Sequence, residues 1–131
     1  MHYADTSALV KLVVPEAESP ALRRWMRQAG ADWASSGIAR TELVRATRRA
    51  EVDAGAIERA RDVLARLTLV EPAAGILEIA ALLDPVEVRS VDAIHLSTAL
   101  ALGDELETVI TYDERMSLAA RSLGLTVAAP R

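Results

Sequence analysis

"HYADTSALVKLVVPEAES", residues 2–19, sets an aspartate, Asp5, where a short apolar run gives way to a helical pattern. Residues 2–5 read as a buried strand. Residues 6–14 read as a helix stopped at Pro15, which has no amide proton to continue it. Far downstream, "ETVITYDERMSLAARSLG", residues 107–124, has the same design. There the strand spans 108–112 and the helix 113–124, with Asp113 at the junction. Two strands that each end in a carboxylate raise the question of whether the carboxylates meet.

Between these units the pattern is mostly helical. "SPALRRWMRQAG", residues 19–30, offers Ser19 as an N-cap, Pro20 in the first turn and Gly30 as a C-terminal stop. A brief strand over 32–36 precedes helices over 38–52 and 56–67. A strand follows over 67–72, then helices over 73–83 and 90–103, the latter capped by Ser90. A last strand lies in 125–130. Short apolar strands alternating with helices predict an α/β/α sandwich, a short and mainly parallel sheet covered on both faces. The 131 residues suit one domain, residues 1–131.

Composition narrows the function classes. With 51% hydrophobic and 26% charged residues the chain reads as a soluble globular protein, and no apolar run reaches the ~18 residues that suggest a membrane span. No basic segment precedes an apolar stretch at the N-terminus, so a secretory signal is not expected. The absence of cysteine excludes disulfides and thiolate metal sites. A cytoplasmic protein without membrane attachment is the expectation. The net charge of −4 argues against binding nucleic acid by bulk charge, and 3% aromatics argues against a base-stacking sheet.

Asp5 and Asp113 sit at the carboxyl ends of strands, where open α/β sheets bind ligands. Taken singly, each is an ordinary N-cap. Two more acids lie on predicted helices. Glu42, in "ARTELVRA", has Arg45 and Arg49 on roughly its own face as ready ion-pair partners. Asp92, in "SVDAIHLSTAL", lies in a first turn, where negative charge complements the helix dipole. His95 follows Asp92 by three residues, and the reading preferred here is a packed, hydrogen-bonded histidine rather than a metal ligand. Arg40, Arg45, Arg48 and Arg49 read mainly as a solvated, salt-bridged face.

In order and spacing, "ADTSALVKL", "ARTELVRA", "SVDAIHLSTAL" and "VITYDERMSLAARSLGL" resemble the four acidic motifs of the PIN-domain ribonucleases, in particular the VapC-like toxins of type II toxin–antitoxin modules. The resemblance covers essentially the whole chain. It implies a PIN-like fold and an acidic pocket of Asp5, Glu42, Asp92 and Asp113, with Ser7 and Thr111 as neighbouring hydroxyls that orient ligands or water. The implied activity is metal-dependent hydrolysis of RNA. Mg²⁺ or Mn²⁺ would be held by Asp5, Asp92 and Asp113, directly or through water, with Glu42 as ligand or water activator. The implied partners are an RNA substrate, a cognate antitoxin and a second copy of the chain in a homodimer. Hard cations favour such all-oxygen donor sets.

Two other classes compete. Haloacid-dehalogenase-like phosphatases also place an aspartate after the first strand, but their second aspartate, two residues on, is replaced here by Ser7. A non-catalytic PIN-like binding domain would be favoured by loss of an acidic position, and none is lost. A phosphorylated receiver domain fails for want of a late-strand lysine, Lys11 being the only lysine.

Overall fold

The structure is a computed structural model that describes residues 1–30 and 32–131. In chain order its elements are β1 (His2–Ala4), α1 (Thr6–Val13), α2 (Ser19–Ala29), β2 (Trp33–Ser36), α3 (Ala39–Ala50) and α4 (Ala56–Ala65). There follow β3 (Thr68–Val70), α5 (Ala74–Ala81), α6 (Ser90–Leu100), a 3-10 turn at Gly103–Glu105, β4 (Thr108–Ile110), α7 (Glu114–Ser122) and β5 (Val127–Ala128). Among the described residues the strands form one five-stranded sheet in the order β3-β2-β1-β4-β5. Every pairing is parallel. The expected α/β/α sandwich is therefore the observed one.

Side-chain alternation on the strands creates the two outer layers. Tyr3, Ala34 and Val109 point to one face and pack with Leu96 and Ala99 of α6 and Met116, Ala119 and Ala120 of α7. Ala4 and Ile110 point to the other, where Leu9, Leu22, Leu43 and Leu64 of α1 to α4 cover them. Both clusters are almost wholly buried. Helices of 8–12 residues are marginal in isolation, so this packing, rather than intrinsic propensity, holds them. The exception is α5, which has no buried residue and rests chiefly on α6. Its Ile79 is 53% exposed, and Leu82, just past its end, is 84% exposed.

Element ends differ from the sequence reading by a few residues, and two caps differ in kind. Ser19 is the first residue of α2 rather than its N-cap; the cap position is Glu18, without a side-chain bond. The Ser19 hydroxyl instead accepts the Glu16 amide at 2.9 Å, bracing the turn before the helix. Ser90 is likewise the first residue of α6, with Arg89 at the cap position. Gly30 does end α2, in the left-handed conformation (φ +60°) that an L side chain adopts only with strain.

The chain runs from β1 outward through β2 and β3 on one side, then crosses to β4 and β5 on the other. The boundary between β1 and β4 is thus the point where strand order reverses. In register, Ala4 of β1 lies opposite Ile110 of β4, which puts the residues that follow both strands at the same end of the sheet.

Candidate active site at the carboxyl ends of the central strands

Asp5 directly follows β1 and is the N-cap of α1, its Oδ1 accepting the Ala8 amide at 3.0 Å. Asp113 plays the same part at α7, its Oδ1 accepting the Met116 amide at 2.9 Å. Each aspartate is therefore an N-cap, and the two caps lie at the same end of the sheet. Each capping bond occupies one carboxylate oxygen, and the two caps are tied together by hydroxyls. Ser7 Oγ donates to Asp5 Oδ1 at 2.6 Å, Thr111 Oγ1 donates to Asp5 Oδ2 at 2.6 Å, and Thr111 Oγ1 accepts the Asp113 amide at 3.1 Å. Ser7 Oγ in turn accepts the Tyr112 amide at 2.8 Å. These bonds lock the β1 and β4 ends in register.

Asp92 and Glu42 reach the same end from helices. Arg89 donates from Nε to Asp92 Oδ2 at 2.9 Å and from a terminal nitrogen to Asp113 Oδ2 at 3.2 Å, so one guanidinium spans both carboxylates. Glu42, in the first turn of α3, accepts Thr6 Oγ1 at 2.8 Å and His95 Nε2 at 2.7 Å on a single oxygen, Oε1. Asp5, Ser7, Thr111, Asp113 and Asp92 are thus connected through Thr111 and Arg89, while Glu42 is held beside them by Thr6, which follows Asp5, and by His95, one turn beyond Asp92 on α6. Glu42 makes no ion pair with Arg45 or Arg49 among the described residues. Its partners come from α1 and α6, because its side chain faces the sheet end rather than solvent.

The electrostatics differ from acid to acid. Asp5 is 4% exposed, and burial pushes its carboxyl above the ordinary range, against the opposing pull of the Ser7 and Thr111 hydroxyls. For Glu42 burial also works upward, but the His95 and Thr6 bonds and the nearby Arg89 charge outweigh it and hold the carboxyl below its usual value. Arg89 is raised by its bond to Asp92 and by the charges of Asp92 and Asp113. The crevice is therefore acidic, with one exposed arginine at its rim.

The donor set is carboxylate and hydroxyl oxygen, which suits Mg²⁺ or Mn²⁺. Among the described residues no three acidic or histidine side chains stand close enough together to form a ready-made cation cage. An ion that keeps several waters and takes one or two carboxylates directly needs no such cage. The residues thus fit a hydrated hard cation, with Arg89 now spanning two of its prospective ligands.

Sequence reasoning singled out Asp5, Ser7, Glu42, Asp92, Thr111 and Asp113 but passed over Thr6, Tyr3 and Arg89. Thr6 was readable as part of "DTS", and Arg89 as a basic residue one turn before Asp92. His95 is buried and hydrogen-bonded, as the sequence reading preferred. Ser7 stands where a dehalogenase-like site needs its second aspartate, and its hydroxyl is spent on Asp5.

The model of the PIN domain family matches residues 3–122. Ribonuclease VapC46 of Mycobacterium tuberculosis is 45% identical over 130 residues, covering 98% of this chain and 96% of the relative. Ribonuclease VapC47 of the same species is 40% identical over 99% of this chain and 97% of its own length. In fold, the chain is similar to the crystal structure of M. tuberculosis VapC20, a sarcin-ricin-loop-cleaving toxin (TM-score 0.76, 19% identity, 99% of this chain and 100% of that one). It is also similar to a chain of VapBC2 from Rickettsia felis bound to a promoter DNA fragment (TM-score 0.75, 16% identity, 100% of both chains). With its acidic motifs gathered at the switch point and its matches running end to end, the chain belongs to the PIN-domain family and, within it, groups with the VapC ribonucleases.

Proposed function

We propose that this chain is a Mg²⁺- or Mn²⁺-dependent endoribonuclease, the toxin of a type II toxin–antitoxin module, hydrolysing RNA phosphodiesters at the Asp5–Glu42–Asp92–Asp113 crevice. The observation that carries the reading is the linkage of Asp5, Asp113 and Asp92 at the β1/β4 switch point through Thr111 and Arg89, with Glu42 bonded to Thr6, the residue after Asp5. The chemistry that a divalent ion would supply there is a lowered pKa for a bound water and neutralised charge on the phosphodiester oxygens. Asp5, Asp92 and Asp113 would hold it, directly or through water. Glu42, with its carboxyl kept ionised, is suited to accept a proton from the attacking water as the phosphorus–oxygen bond to the leaving group breaks. Ser7 and Thr111 keep Asp5 oriented. Cleavage of a panel of structured RNAs, with Mg²⁺ or Mn²⁺ and with chelator, tests the reading. Metal-dependent cuts are expected, and no cleavage of any RNA in either metal would overturn it.

A second reading, a PIN-like domain that only docks a partner, draws support from Arg89, whose guanidinium spans Asp92 and Asp113 where a cation would sit. The two readings differ in what Arg89 does. In the nuclease it competes with metal, so Arg89→Gln is expected to tighten Mn²⁺ binding. Pairs this exposed are worth about 0.2–1 kcal/mol, which corresponds to a Kd lower by a factor of roughly 1.4 to 5. Calorimetric titration measures it, and weaker binding in the variant would show that Arg89 is not a competitor.

VapBC2 is a two-component assembly by its name, and the same arrangement is proposed here, with a cognate antitoxin as inhibitor. An antitoxin arginine entering the crevice would pair bidentately with the carboxylates and exclude metal. Replacing that arginine with alanine is expected to weaken inhibition about tenfold or more, the scale of losing a charge-assisted hydrogen bond. Inhibition unchanged by that replacement would point instead to steric exclusion of RNA. A homodimer is also proposed, supported by the exposed apolar side chains Leu77, Ile79, Leu82 and Val86 around α5. Sedimentation of the purified chain tests it.

A further inference from the structure

Behind Glu42 lies a buried run of polar side chains to which the chemistry above gives no task. His95 is 2% exposed and Tyr3 is fully buried. The Tyr3 hydroxyl lies 2.7 Å from His95 Nδ1, and His95 Nε2 lies 2.7 Å from Glu42 Oε1. The two rings meet edge to face at 5.9 Å. Thr6 Oγ1 adds a second bond to the same Glu42 oxygen, and stands 3.3 Å from Nε2.

The direction of these bonds follows from what each group can offer. An ionised carboxylate only accepts, so Nε2 must carry the proton it shares with Glu42. Nδ1 accepts from the Tyr3 hydroxyl in a neutral ring and donates to that oxygen in a protonated one, so the bond stands in either form. Burial holds that phenol protonated by raising its pKa. Both ring nitrogens are engaged, which leaves the imidazole none for a metal. Both bonds to Glu42 fall on Oε1, and among the described residues Oε2 accepts none.

We propose that Tyr3 and His95 are positioning residues that pin Glu42 through Oε1 and so present Oε2 to the crevice as the working oxygen. The proposal rests on the reading of Glu42 as a participant in RNA hydrolysis. A buried polar chain of this kind is satisfied in a single arrangement of its members, whereas apolar side chains at positions 3 and 95 would leave the glutamate free to change rotamer. The same relation of an outer partner to a metal-site carboxylate typically affects affinity or activity 10- to 100-fold.

The test is a cycle of four proteins, wild type, His95→Leu, Glu42→Gln and the double variant, followed by RNA cleavage, Mn²⁺ calorimetry and thermal unfolding. His95→Leu is expected to lower kcat about 10- to 100-fold, with KM for RNA within about twofold, and to weaken Mn²⁺ binding. In the Glu42→Gln background the same change should cost little further in either readout. His95→Gln should recover most of the loss, because its amide N–H can replace Nε2. If His95→Leu does not fold, Tyr3→Phe, which removes only a hydroxyl, takes its place in the cycle. Equal losses with and without the Glu42 carboxylate would overturn the proposal and leave His95 a core residue. Wild type that binds Mn²⁺ but cleaves no RNA would sink the nuclease reading alone, since coupling in Mn²⁺ affinity still decides the positioning claim. Wild type that does neither would remove both.

Discussion

Asp5→Asn combined with Asp92→Asn is expected to lower RNA cleavage by roughly 10³-fold or more, a scale set by loss of charge-stabilising groups in a reacting site. Each change removes one negative charge with little change of shape. The surroundings of Asp5 give a further reason. Ser7 and Thr111 donate to opposite oxygens of its carboxylate, and an asparagine offers only one acceptor, so one hydroxyl must turn away. Glu42→Gln alone is expected to lose activity on a similar scale, because an amide cannot take a proton from water. Asp113→Asn should be milder: Asp113 is partly exposed, and its capping bond to Met116 is one that asparagine also makes. Rates are to be measured under single-turnover conditions on proteins shown to unfold at similar temperatures. Full activity in the double variant would show that the crevice is not the catalytic site.

How much of this was legible depends on the range over which each residue acts. Asp5 and Asp113 could be read because a strand, a carboxylate and a helix start are neighbours in sequence, and the structure places them as N-caps at one sheet end. Ser19 and Ser90 were misread as caps because a serine at the cap and one at the first helical residue differ only in backbone angles, which sequence shows poorly. For Glu42 the one alternative to the acidic pocket that helical spacing offers is pairing with Arg45 and Arg49. Its true partners, Thr6 and His95, lie 36 and 53 residues away and come within reach only when α1, α3 and α6 converge. Tyr3 was hidden for the same reason: the alternation of β1 shows that it is buried, but not that its hydroxyl meets a histidine 92 residues later.

Metal is expected to stabilise wild type by about 2.7 kcal/mol when free Mn²⁺ is a hundredfold above Kd, and Asp5→Asn should lose most of that gain. In chelator the sign reverses. The folded-state carboxyl of Asp5 is raised from 3.8 by burial, so between that value and its raised one the native state binds more protons than the unfolded chain. Stability then falls as pH rises through the window and stays lower above it. Asp5→Asn lacks this fall, which offsets the one hydroxyl bond it gives up, so at neutral pH the metal-free variant should equal or exceed wild type. Asp5→Ala separates the charge from the hydrogen bonds. It deprives the Ala8 amide and the Ser7 and Thr111 hydroxyls of their acceptor, which should cost about 1–3 kcal/mol with or without metal. Reversible thermal and denaturant unfolding of the three proteins across pH, in chelator and in excess Mn²⁺, reads all of these signs at once. A wild type that gains nothing from Mn²⁺, while both variants are weaker under every condition, would mean that Asp5 serves only as a cap, and the partner-docking reading would then replace the nuclease.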